Sequence, residues 1–322
     1  MHFDESFFEG EERDGFYISP MVKRAWAVEL DILEVISRIC RKYQIRWFAE
    51  FGTMIGAVRH NGYIPWDDDI DISMLRPDYE KFMRYARKEL PKGYRLVNGR
   101  QDKNPSEAIL QVQNTSNINT SPAFLKNNHG CPYIIGVDIF VIDKIPDDPE
   151  EEASFRELAT ISYHAFKGAE IGQLADDCEE LVRDEIYQLA DVCSYDFDYS
   201  VPIKPQLLDL ADHISAMYYD VETSRMTVVP YYCVNPAIVF PVETYSKIVR
   251  FDFEVTNLPV PQGYDEVLSI WYGDYMTPRN TSASHEYPYF IRDERTLRKQ
   301  YEQQGQEFPE EFTIFPEGTK QE

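Results

Sequence analysis

The run PWDDDIDISM, Pro65 to Met74, constrains this chain more than any other stretch. Asp67, Asp68 and Asp69 are consecutive, Asp71 follows, and aliphatic residues alternate with the last two. Carboxylates repel one another and cost free energy to remove from water. In a β-strand, side chains two apart share a face. A strand here therefore carries Asp69 and Asp71 together and turns Ile70 and Ile72 into the core. Such a pair offers oxygen ligands to a hard divalent cation, with Mg²⁺ typically taking one or two carboxylates plus water and phosphate. A third carboxylate, Asp138, sits in the β-branched run GVDIFV. If that strand lies beside the first, three carboxylates converge, enough to hold two metal ions around a transferring phosphate. On local grounds a solvated turn is the competing reading. A calcium loop would place acids at Asp67, Asp69 and Asp71, but Ile72 and Asp78 stand where such a loop needs Gly and Glu.

Around this run the periodicities alternate. Residues 21–43 repeat apolar side chains every three or four positions and predict a helix, followed by a strand over 45–51. Pro77 marks the first turn of a helix over 77–90. Strands are expected at 94–98, 109–113 and 133–143. From Asp147 to Asp198 the chain holds 16 acidic and three basic residues, with helical spacing at Leu174, Leu181, Ile186 and Leu189. This reads as an acidic, solvent-facing helical pair. β-Character returns in TVVPYYC, AIVFPVE and SKIVRFDFEV, then a helix over 264–271 and a tail rich in Pro and aromatics.

The whole chain carries a formal charge of -24, which disfavours nucleic acid and anionic lipid as surface partners. A locally positive cleft or a bound metal still admits an anionic substrate. Five scattered cysteines without a C-x-x-C pair point to a reduced compartment, with neither a disulfide framework nor a zinc ribbon. The acidic N-terminal segment has no apolar signal region, and no run reaches the roughly 18 apolar residues of a membrane span. The expected location is cytoplasmic, at most at the inner face of the membrane, with no more than peripheral contact.

The block GTMIGAVRHNGYIPWDDDIDISMLRPDYEKF, Gly52 to Phe82, resembles the signature of the LicD family of phosphotransferases. VDIFVID, Val137 to Asp143, and PQGYDEVLSIWYGDYMTP, Pro261 to Pro278, resemble two further family blocks in the same order. The likeness runs from Phe48 to about His285 and leaves out the acidic helical segment. Met54-Ile55, Tyr63 and Val141 depart from the pattern without removing a carboxylate. The resemblance implies an α/β fold of nucleotidyltransferase type, a mixed sheet flanked by helices. Its catalytic core would occupy residues 1–146, an acidic helical insertion 147–225, and a segment completing the catalytic domain 226–322. It also implies transfer of a phosphorylated alcohol, best known as phosphocholine, from a CDP-linked donor to a hydroxyl of a glycan or lipid-linked glycan, including teichoic-acid types. Asp69, Asp71 and Asp138 match the family's metal positions and are the expected catalytic set, with Mg²⁺ or Mn²⁺ as cofactor.

Substrate contacts are expected from Gly52 and Thr53, where a glycine lets the backbone approach a phosphate and a hydroxyl can donate to it. Arg59 and Arg76 suit phosphate oxygens. His60 and His285 are further candidates, and Trp66, Tyr63, Trp271 and Tyr272 could form an aromatic cage for a choline head. Two rivals remain open at this point. One is a nucleotidyltransferase that attaches NMP to its acceptor; the other is a non-catalytic protein whose acidic cleft holds a cation or a basic partner. The donor alcohol, the acceptor glycan and the general base are not encoded in any motif.

Overall fold

The computed structural model describes residues 1–98, 109–171, 187–198, 200–279 and 286–315. The chain opens with a small hairpin, β1 (Glu11–Arg13) and β2 (Phe16–Ile18). Ser19 then caps the long helix α1 (Pro20–Tyr43), its hydroxyl accepting the Val22 N–H at 3.3 Å, with Pro20 in the first turn. Trp26, Leu30, Leu33, Ile36 and Cys40 are buried, the stripe expected from their spacing. Gln44 ends the helix in the left-handed region.

The predicted strand over 45–51 is much shorter. Only Phe48–Ala49 pairs as a strand, β3; Glu50 is still extended, and the chain turns at Phe51, φ 46°, where α2 (Phe51–Ile55) begins. Helix α2 runs on as a wider π-type turn over Gly56–His60. The aspartate run follows and enters β4 (Asp71–Leu75), and α3 (Arg76–Glu89) leaves it with Pro77 in its first turn. Strands β5 (Arg95–Asn98) and β6 (Leu110–Gln113) lead through α4 (Pro122–Asn127) to the ten-residue β7 (Gly136–Ile145). The main sheet has the order β3-β4-β7-β6-β5. Strands β4 and β7 are parallel and the other pairs on this path antiparallel, so the sheet is mixed. Helices α1 and α3 pack on it.

Helix α5 (Pro149–Ile171) confirms helical structure at the start of the acidic segment, and α6 (Ile203–Ser215) lies against it. Leu174, Leu181 and Ile186 lie outside the described residues. The TVVPYYC run is not a strand throughout. It forms the end of β8 (Arg225–Thr227), which pairs with the far end of β7, and then α7 (Val229–Val234), with Pro230 in its first turn. Phe155, Phe166, Leu207, Ile214 and Tyr232 belong to a hydrophobic cluster separate from the one beneath the main sheet.

Strand β9 (Phe240–Pro241) pairs with β8. The hairpin β10 (Ile248–Phe253) and β11 (Thr256–Pro261) then reaches back to the loop before the aspartates. At its tip the Glu254 N–H donates to the Asn61 carbonyl at 2.9 Å. The Glu254 carboxylate accepts the Tyr63 N–H at 3.1 Å and the Arg13 Nη1 at 2.5 Å. Gly62 is required there, because a β-carbon would overlap that carboxylate. Helix α8 (Tyr264–Tyr272) was expected; α9 (Ile291–Gln303) replaces part of what read as an irregular tail. Among the described residues no helix is long and apolar enough to cross a membrane.

Candidate active site

The register of the two parallel strands sets the geometry. Asp71 is the Cα partner of Asp138, and the Asp138 N–H donates to the Ile70 carbonyl at 3.0 Å. Ile70 and Ile72 are fully buried, while Asp69, Asp71 and Asp138 are half-buried. The alternation of charge and oil thus performs the separation its spacing predicts. Asp138 is oriented from β6: Gln113 donates to Gln111 at 2.5 Å, and Gln111 donates to Asp138 Oδ1 at 2.7 Å. Gly136 leaves room for Gln111, whose side chain would meet any β-carbon there.

Burial holds the Asp71 carboxyl well above the usual range, and the charges of Asp69, Asp138, Asp67 and Glu50 push the same way. The floor beneath is Glu50. Its N–H donates to the Asp71 carbonyl at 3.0 Å. Its buried carboxyl accepts from Ser73 at 2.7 Å and Tyr245 at 3.1 Å, yet burial pushes it up to about 7. Carboxylate oxygens of Asp67, Asp68 and Asp69 all lie within 4.8 Å of one another. An all-oxygen donor set under its own electrostatic strain fits a hard divalent cation, which would relieve the repulsion that raises Asp71.

Asp67, Asp69 and Asp71 line a cleft of about 530 Å³. Its walls include Arg59, Trp66, Tyr231, Trp271, Tyr272 and Arg279. Arg59 is half-buried; Nη1 donates to the Tyr275 carbonyl and Nε to His60 Nδ1 at 3.3 Å. No carboxylate forms an ion pair with it among the described residues, and the acid whose charge reaches it is Asp14. A cation with no ion-pair partner among the described residues, lining the same cleft as three aspartates, is suited to an anionic ligand.

Several expected contacts take other roles. Gly52 lines the cleft, but its missing side chain makes room for the Asp67 carboxylate, which a β-carbon would overlap. Thr53 is buried, and its hydroxyl accepts the Asp71 N–H at 2.9 Å, so it sets the strand rather than reaching into the cleft. His60 stands behind the wall. Its ring lies edge-on to Trp66 at 6.5 Å and 3.4 Å from Asp14, and burial followed by the Arg59 charge depresses its pKa. Tyr63 is no cage residue: it stacks on Trp26 at 4.2 Å in the core and donates to Glu29 at 2.8 Å. Arg76 points away from the aspartates. It is buried and bonded to Asp143 through Nε and Nη2, both at 2.6 Å, and to Asp212 of α6 at 2.9 Å. Asp68 is buried and accepts the backbone N–H of Tyr289, tying the C-terminal segment to the site. His285 lies outside the described residues.

Two cleft residues had no sequence signal assigned to them. Tyr231 arrives on α7, inside a run read as a strand, and packs against Phe51 and Trp271 at 5.2 Å each. Arg279 follows the YGDYMTP block and projects from an exposed loop.

A family model described as LicD/FKTN/FKRP, nucleotidyltransferase domain, matches residues 44–128. That span holds β3, the Gly52 turn, Arg59 and every cleft aspartate of β4. Beyond it, the chain is 24% identical over 256 residues to the lipopolysaccharide cholinephosphotransferase LicD of Haemophilus influenzae, covering 77% of this chain and 88% of that protein. Residues 44–128 thus match the LicD-type nucleotidyltransferase domain, and the wider chain is similar to a LicD phosphotransferase. Shorter likenesses also occur: an uncharacterized protein of Rickettsia typhi is 39% identical over 59 residues, 18% of this chain and 19% of that protein. Another, from Rickettsia prowazekii, is 51% identical over 37 residues, 12% of this chain and 14% of that protein. The LicD-type aspartates therefore sit in a cleft walled by α2 and, beyond the span of the family model, by α7, α8 and the loop after α8.

Proposed function

We propose that this LicD-like protein transfers a phosphorylated small alcohol, phosphocholine first among the candidates, from a CDP-linked donor to a hydroxyl of a glycan, releasing CMP. The observation that carries this reading is one cleft lined by Asp67, Asp69 and Asp71, by Arg59, which pairs with no carboxylate among the described residues, and by the rings of Trp66, Tyr231, Trp271 and Tyr272. The activity named for the Haemophilus influenzae relative, lipopolysaccharide cholinephosphotransferase, supports phosphocholine and a glycan acceptor.

Asp69, Asp71 and Asp138, with Asp67 beside them, would hold Mg²⁺ or Mn²⁺, which when bound supplies Lewis acidity toward phosphate oxygens. The chain's own residues account for the rest. Arg59 binds the non-bridging oxygens of the diphosphate and draws their charge. Asp138, oriented by Gln111, takes the proton of the attacking glycan hydroxyl. The new bond forms between that oxygen and the phosphorus bearing the alcohol; the bond to the bridging oxygen breaks, and CMP leaves with the electron pair. Trp66, Tyr231, Trp271 and Tyr272 present ring faces to the alcohol and shield the reacting phosphate from water.

A quaternary ammonium has no hydrogen-bond donor, so a site selecting it works through ring faces and shape. Desolvated cation–π contacts contribute about 2 kcal/mol, roughly a thirtyfold preference. The test measures CMP release with Mg²⁺ from CDP-choline, CDP-ethanolamine, CDP-glycerol and CDP-ribitol at equal concentration, then repeats it with Trp66→Ala. We expect CDP-choline to lead by about that factor and the variant to lose the preference. A polyol donor turned over fastest would overturn the choline assignment. Equal loss for all donors in the variant would make Trp66 part of the scaffold.

A further inference from the structure

A second cavity, of about 180 Å³, adjoins the cleft. Tyr231 lines both spaces, and Phe140, 6.2 Å from its ring centre, completes the partition. The remaining walls come from α3, β5, β6, β7, α5, α6 and the start of α7, so helices following the main sheet line a space beside the cleft. We infer that this cavity is a subsite for one neutral, hydroxyl-bearing ring of the acceptor. Calling it an acceptor subsite rests on the phosphotransfer reading; that it binds such a ring does not.

Three features select the ligand class. The first is charge. Among the described residues, the cavity's walls hold two cations, Arg76 and Lys167, and two acids, Asp143 and Asp212. Arg76 spends its Nε, Nη1 and Nη2 on Asp143, Asp212 and Glu80. A phosphate or a free carboxylate drawn to Arg76 would have to break that buried network, and a cation would add to it unfavourably. The second is the mixture of surfaces. Tyr79, Tyr163 and Tyr231 offer ring faces beside the aliphatic Ile139 and Val141, with the amide of Asn98 as a polar point. Small-molecule sites have this composition, apolar walls with a few placed polar groups. A sugar ring meets it with C–H faces on the phenols and hydroxyls toward the amide and carboxylates. The third is size: the space takes a single ring, a fraction of what the neighbouring cleft admits.

The experiment titrates the full chain with free neutral hexoses and N-acetylhexosamines, alongside the corresponding sugar phosphates, and reads binding by saturation-transfer NMR. Two variants fill the cavity from different strands, Val141→Phe on β7 and Ile109→Phe just before β6, each checked by thermal melting. We expect at least one neutral sugar to bind at millimolar levels, its signal to fall at least tenfold in whichever filled variants fold, and the sugar phosphate to bind more weakly. No binding by any neutral sugar, binding that persists in the folded variants, or tighter binding of the phosphate would each overturn the inference. CMP release from the donor panel is read separately, so an inactive wild-type protein would count against the phosphotransfer reading, not against this one.

Discussion

Asp71→Asn will cost turnover about a thousandfold or more and leave the protein at least as stable as before. The loss follows from removing a charged oxygen from the donor set, worth several kcal/mol of transition-state stabilisation. The stability half has the opposite sign. Burial and four neighbouring carboxylates hold Asp71 above its normal range, so its ionised form weakens the folded state without a cation. Asparagine keeps the shape and removes that repulsion. The backbone bond from residue 71 to Thr53 is unaffected by the change. Steady-state CMP release and thermal melting in chelator measure the two halves. A variant that keeps more than about a tenth of its activity contradicts the assignment, as does one that melts well below the wild type.

Arg76→Ala will lower stability by about 3–5 kcal/mol, the usual cost of stripping one partner from a buried ion pair. Asp143 is 3% exposed and, even with the guanidinium bound, burial pushes it up to about 6. Without Arg76 its folded pKa rises further, so the charged form is penalised more. The sign of the pH dependence follows. A carboxyl with a raised folded pKa loses stability as pH rises through that value, so the variant's deficit is larger at pH 8 than at pH 5. Asp212 joins in, because the same guanidinium ties α6 to the start of α3. Melting curves of both proteins at the two pH values check this. An Arg76→Ala variant with wild-type melting but lost turnover would place this side chain in substrate binding.

The contrast between these two residues shows what could be read from the sequence. Asp71 and Arg76 sit in one near-continuous motif, five residues apart. Alternation along β4 told which aspartates share a face, and the β-branched run around Asp138 told which strand lies beside it. Neither pattern says what lies at the far end of the strand. Five residues of extended chain span roughly 16 Å, so Arg76 leaves the site and meets a helix from another part of the chain. Such contacts have no local signature. The same holds for Thr53, whose hydroxyl faces the strand backbone, and for Tyr63, which stacks on Trp26 of α1.

Other misreadings were local. The apolar run over 45–51 has strand composition, yet Phe51 takes a left-handed conformation and starts α2, so tertiary context overrides propensity. Pro230 in TVVPYYC was a helix-start signal passed over for its β-branched neighbours. Helix α9 shows Ile291, Glu294, Leu297 and Tyr301 at helical spacing, but the surrounding prolines and aromatics hid it. Helix α1 is legible because its buried stripe enforces the spacing, and β4 and β7 because, buried for most of their length, they read as apolar runs around their carboxylates.

The central claim is attack on the phosphorus that bears the alcohol. Glycerol at high concentration can stand in for the glycan hydroxyl, with CDP-choline as donor and Mg²⁺ present, and phosphorus NMR resolves the products. The account predicts glycerophosphocholine and CMP, both absent with Asp71→Asn. CMP joined to glycerol with free phosphocholine released would contradict it, and would make the protein a nucleotidyltransferase.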